Sequence, residues 1–143
     1  MNITENFTFA EFEESQTAKA KGIANVITSF EVRDTIIALV REVLQPLRNL
    51  YKKPMHVNSG YRCQTLNAAV GGVATSQHCK GEAADIATGS EAESFKLAKL
   101  ARENHIPFDQ MILYPTFVHF SHKLKGPQRG ITLYNKSYRG KKF

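Results

Sequence analysis

Three observations on the sequence predict an α+β fold, a small antiparallel sheet packed with helices. Two stretches, near Thr28 and Ser90, open with a helix-capping pattern and continue with apolar residues at helical spacing. Two apolar runs, Gln110 to Tyr114 and Phe117 to Ser121, flank Pro115-Thr116 and read as a hairpin. Short strand-like stretches are mixed among helices without a regular strand-helix alternation, which argues against a wound parallel sheet.

In chain order, Phe7 to Phe12 reads as a helix start, with Thr8 as cap, Glu11 three residues on, and Phe7 set to pack on Phe12. Ser15 to Asn25 shows no sustained period and contains Gly22, so a loop is expected there. Thr28 with Glu31 then opens the strongest helix. Val32, Ile36, Leu39, Val40, Val43, Leu47 and Leu50 form its apolar stripe, and Pro46 predicts a kink or break near Leu44.

Met55 to Asn58 alternates as a short strand that delivers Ser59-Gly60-Tyr61-Arg62. Arg62 to Val70 reads as a helix closed by Gly71-Gly72, and Ala83 to Ala87 as a strand of small residues with Asp85 facing the same way as Ala83 and Ala87. Ser90 with Glu93 caps a helix over Glu91 to Asn104, and Gly130 to Tyr134 is one more strand.

At 143 residues the chain is expected to form a single domain, 1–143, able to build a core without covalent staples. Two cysteines, Cys63 and Cys79, are too few for a disulfide framework and fit a reducing compartment. The first residues carry neither a basic nor an apolar leader pattern, and no stretch is long enough to span a bilayer. Synthesis in the cytoplasm is therefore expected, with action elsewhere requiring release by another agent. The net charge of +6 is concentrated in a basic C-terminal tail from about Lys123, which holds seven basic residues and no acidic one. Such a tail suits an anionic partner, and a solvated end is the plain alternative.

The chemistry gathers between Ser59 and Asp85 and again at Phe117 to His122. His78 and Asp85 offer a nitrogen and an anionic oxygen on either side of Gly81, a pair that asks for a third metal ligand. His119 and His122 are the suppliers at hand; alternation along a strand puts them on opposite faces, so only one joins the site. Cys79 is set aside as a ligand because a sequence neighbour of His78 in an extended loop points elsewhere.

Ser76-x-His78-x-x-Gly81-x-Ala83-x-Asp85, preceded by Ser59-Gly60-Tyr61-Arg62 and followed by Phe117-Val118-His119, resembles the zinc D-alanyl-D-alanine carboxypeptidase family. The likeness covers roughly Phe7 to Leu133 and includes Phe108-Asp109-Gln110. It implies a fold of the hedgehog and D-Ala-D-Ala peptidase type, with a zinc ion held by His78, Asp85 and His119. Arg62 would then hold a substrate carboxylate or carbonyl, while Ser76 is either a loop hydroxyl or a substrate contact. It also implies peptidoglycan as substrate, cleaved by a carboxypeptidase or an endolysin-type endopeptidase of phage or prophage origin. An anionic wall polymer is then a better partner for the basic tail than nucleic acid.

One departure bears on catalysis. Relatives with a similar Phe-Asp-Gln segment carry a glutamate where this chain has Leu113-Tyr114, so the general base must come from Asp109, Tyr114 or His122, or activity is altered. Two readings stand: a zinc peptidase, or a metal-holding module that binds wall polymer without turnover.

Overall fold

The computed structural model of the protein describes residues 2–143. A two-stranded antiparallel ribbon, β1 (Asn2–Thr4) and β2 (Phe7–Thr8), leads into helices α1 (Phe9–Glu13), α2 (Gln16–Lys21), α3 (Phe30–Leu39) and α4 (Gln45–Tyr51). Strand β3 (Val57–Ser59), helix α5 (Gln64–Ala69), strand β4 (Ala83–Ala87), helix α6 (Glu91–Glu103) and strands β5 (Gln110–Leu113), β6 (Phe117–Ser121) and β7 (Ile131–Tyr134) follow. The main sheet has the order β3-β4-β6-β5-β7 and is antiparallel except for the β5/β7 pair. The expected α+β fold is therefore present, with one parallel pair added at its edge.

Alternation along the strands divides the sheet into two faces. Ala84 and Ile86 of β4, Met111 and Leu113 of β5, and Val118 and Phe120 of β6 join Ile36, Leu39, Val43, Leu44, Leu47, Leu97 and Ala101 in one core. The helical layer fills that side, so Asp85, Ile112 and His119, which are neighbours across the strands, are left on the other face. The fold thus turns a single alternation rule into a site.

Several elements depart from the sequence reading. The cap of α3 is Ser29, not Thr28: its Oγ accepts from the Val32 N–H at 3.3 Å. The stretch expected as loop at 15–25 contains α2. Ser15 Oγ accepts from the Ala18 N–H at 3.1 Å, and Gly22 ends the helix with φ at 67°. Its only apolar residues are alanines, too small to write a period. Thr8 and Glu11 form the full capping box as expected. At Pro46 the helix does not break: α3 and α4 run on through a π-helical turn at Val40–Leu44, which absorbs the donor that proline lacks.

The segment expected as a basic tail from Lys123 is folded onto the domain. β7 pairs with β5, Tyr138 is 2% exposed within the core, and the Phe143 ring stacks on Phe95 at 4.8 Å between centroids. No helix among the described residues is long and apolar enough to cross a membrane.

Candidate metal centre

His78 sits on a single helical turn, Gln77–Lys80, whose entry is fixed by Ser76 Oγ accepting from the His78 N–H at 3.2 Å. The turn ends at Gly81, where φ is 77° and an added Cβ would stand 2.9 Å from both Ile36 Cγ1 and the Val32 carbonyl oxygen. Glycine is required there twice over, by conformation and by contact with α3. Asp85 and His119 face each other as register partners on β4 and β6. The ligand atoms of His78, Asp85 and His119 all lie within 4.8 Å of one another.

His119 Nδ1 stands 2.8 Å from Asp85 Oδ1, and His78 Nε2 stands 3.5 Å from Asp85 Oδ2. On its far side, His78 Nδ1 is 2.7 Å from the Gly60 carbonyl oxygen. A carbonyl can only accept, so Nδ1 carries the hydrogen and a neutral His78 turns its Nε2 lone pair toward an anionic oxygen. Two acceptors facing each other call for a cation between them. Two imidazoles and a carboxylate are a donor set that suits a transition ion such as zinc, whereas calcium and magnesium prefer oxygen shells. The residues therefore fit a metal ion. Burial pushes the Asp85 carboxyl up, but the imidazoles beside it, His119 above all, outweigh that and hold the group well below the usual carboxylate range.

The trio opens into a cleft of about 680 Å³ lined also by Arg62, Ser76, Glu82, Gln110, Ile112 and Tyr114. Arg62 is set by its backbone: its N–H donates to the His78 carbonyl at 3.2 Å, and Tyr61 N–H donates to the Phe12 carbonyl at 2.8 Å. Asn25, 7% exposed, clamps both flanks, donating to Tyr61 O at 2.9 Å and accepting from Cys63 N–H at 2.8 Å. The Arg62 side chain reaches Ser76 Oγ at 3.4 Å through Nη2, while its buried Nε has no protein partner. A guanidinium with a spare buried donor is prepared for an acceptor from outside.

Of the three base candidates, only Tyr114 lines the cleft. Its ring is stacked on Phe117 at 4.1 Å, and burial together with the Asp85 charge raises its pKa, against the pull of Arg62. It is therefore a protonated phenol at neutral pH, a donor and not a base. Asp109 is fully buried and accepts from Arg129 Nη2 at 2.8 Å and Gln77 Nε2 at 3.1 Å, so its oxygens are committed. His122 is 8% exposed, lies outside the trio, and is pushed down in pKa by burial. Cys63 and Cys79 are free thiols and neither belongs to the trio.

Glu82 is the cleft carboxylate that the sequence reading passed over, although it stands inside the quoted motif. Asn25 had no signal at all: a lone asparagine in a stretch without period looks like loop.

A family model described as Peptidase M15 matches residues 5–122. The chain is also similar to the zinc D-Ala-D-Ala carboxypeptidase of Streptomyces albus G, with 35% identity over 101 residues, 70% of this chain and 37% of that protein. The match thus spans little more than a third of that relative's length.

Proposed function

Because the chain belongs to the peptidase M15 family, we propose that it is a zinc-dependent peptidase that hydrolyses amide bonds in the stem peptides of peptidoglycan. The observation that carries this reading is the convergence of His78 Nε2, the Asp85 carboxylate and His119 Nδ1 in one cleft with Arg62. The Streptomyces albus G relative, by its name a zinc D-Ala-D-Ala carboxypeptidase, supports both the metal and the bond type.

His78, Asp85 and His119 would hold the zinc ion, which when bound would supply Lewis-acid polarisation of a carbonyl and a nucleophilic water at neutral pH. Gly60 keeps the His78 ring turned so that Nε2 faces the site. Arg62 binds a substrate carboxylate through its free donors. Tyr114 donates its phenolic hydrogen to the oxygen on which negative charge develops. Glu82, the carboxylate in the cleft outside the trio, is the proton acceptor. Its Oε1 accepts from Gln77 Nε2 at 3.2 Å, which limits its freedom to turn.

Action at the cell wall during phage or prophage lysis is the setting that the sequence resemblance favours, and the cations of the last 21 residues would favour an anionic wall polymer. A soluble pentapeptide ending in D-Ala-D-Ala tests the reading. Release of D-alanine, abolished by a zinc chelator and restored by zinc, supports it; no new amine at any zinc concentration would turn the account toward a binding module.

A further inference from the structure

The cleft extends well beyond the metal trio. Taken in strand order it runs from Arg62, after the edge strand β3, over Asp85 on β4, His119 on β6 and Ile112 on β5, to Arg129 just before β7. Lys123 lines the same far end. Arg129 is built as a fixed cation: Nε donates to Asp109 Oδ1 at 3.1 Å, Nη2 to Oδ2 at 2.8 Å, and its backbone N–H to Oδ1 at 2.9 Å. Asp109 is fully buried while the Arg129 side chain is 47% exposed, and Nη1 has no protein partner among the described residues. Lys123 Nζ stands 3.6 Å from the same Asp109 oxygen. Two cations thus lean on one buried anion with Glu82 as the second carboxylate nearby, so the local charges balance, and what Arg129 offers the cleft is a held guanidinium with Nη1 free beside the Lys123 ammonium.

We propose that Arg129 and Lys123 form a second anion subsite, which takes a carboxylate of a peptide whose scissile amide lies over His78, Asp85 and His119. The proposal rests on the peptidase reading and adds the substrate class: an acidic peptide held at both ends, by Arg62 on one side and by this subsite on the other. Strands lie about 4.8 Å apart, so two to three spacings separate the trio from the β7 side, roughly 10–14 Å. An extended chain covers that distance in about three to four residues at 3.3–3.6 Å each. A guanidinium whose two other nitrogens are already tied down loses little freedom on binding, which favours recognition over mere charge attraction.

The test uses two pentapeptides ending in D-Ala-D-Ala, identical except that the carboxylate three residues before the last amide bond is free in one and a carboxamide in the other. Each is titrated calorimetrically into the zinc-loaded protein and into its Lys123→Gln and Arg129→Gln variants. The free acid should bind the unsubstituted protein about tenfold or more tightly than the amide, the range expected of a charged hydrogen bond. That ratio should shrink in Lys123→Gln and approach one in Arg129→Gln. If Arg129→Gln does not fold, Lys123→Gln decides alone. Equal binding of the two peptides by the unsubstituted protein, or an unchanged ratio in the folded variants, overturns the proposal and leaves Arg129 as a lock on β7. Binding discrimination without cleavage of either peptide would instead count against the peptidase reading alone.

Discussion

His78 donates from Nδ1 to the carbonyl oxygen of Gly60 at 2.7 Å, across 18 residues of chain. That bond fixes which imidazole nitrogen faces Asp85. Gly60 itself is pressed against α1: an added Cβ would stand 2.7 Å from Phe12 Cδ2 and 2.8 Å from Phe12 Cα. Through Gly60 the metal ligand is therefore tied to a helix far from the site in sequence.

Gly60→Ala should push the Gly60 carbonyl away from His78 while Phe12 stays in the core. Loss of an outer hydrogen bond of this kind costs about 10–100-fold in metal affinity. Competition titration against a chromophoric zinc chelator measures it, and an unchanged affinity would mean that Gly60 does not orient His78.

Asp85→Ala and His119→Ala should each lower the zinc content from about one per chain to near zero, whereas His122→Ala should retain it. The contrast follows from the faces of β4 and β6, which bring Asp85 and His119 together and leave His122 buried elsewhere. Elemental analysis of protein freed of loosely held metal distinguishes the pattern. Zinc lost with His122 and kept without His119 would require a different ligand set.

Arg62→Lys should keep zinc and fold but lower kcat/KM about 10–100-fold. Lysine retains the charge and loses the two-pronged donor geometry. Steady-state kinetics on a soluble D-Ala-D-Ala peptide checks this, and unaltered constants would reduce Arg62 to a packing role.

Asp109→Asn should destabilise the protein by about 1–3 kcal/mol at neutral pH, discounted for the half-exposed Arg129 partner. Hydrogen bonds from Arg129 hold the Asp109 carboxyl well below its ordinary range despite burial. Its contribution is thus fully present above the unfolded carboxylate pKa of about 3.9 and is lost as pH falls toward the depressed folded value. Between about pH 5 and pH 2 the parent protein should therefore lose stability more steeply than the variant. Thermal melts across that range decide it; parallel acid limbs would show that Asp109 carries no linked charge.

Much of this was legible in the sequence because the informative residues obey short rules. The alternation of β4 and β6 put Asp85 and His119 on the face away from Ala84, Ile86, Val118 and Phe120. It also separated His119 from His122. The features that were not legible depend on contacts distant in sequence. Asn25 clamps Tyr61 and Cys63 across more than thirty residues. Asp109 is one of three base candidates in the sequence, and only its distant partners Arg129 and Gln77 commit its oxygens elsewhere. The strand at Gly130 to Tyr134 was legible, but its partner was not: Lys123 and Arg129 read as tail charges because nothing local signals that β7 pairs with β5 and brings them to the cleft. Tyr138, likewise, gives no sign in sequence that it ends in the core.

The central claim, that one zinc ion held by His78, Asp85 and His119 drives amide hydrolysis in peptidoglycan, is met most directly by mass spectrometry of purified peptidoglycan digested with the zinc-loaded protein. The account predicts shortened or unlinked stem peptides, each product differing from its parent by one hydrolysed amide bond, and none of them with the His119→Ala variant. A digest indistinguishable from undigested wall, with zinc fully bound, would contradict it.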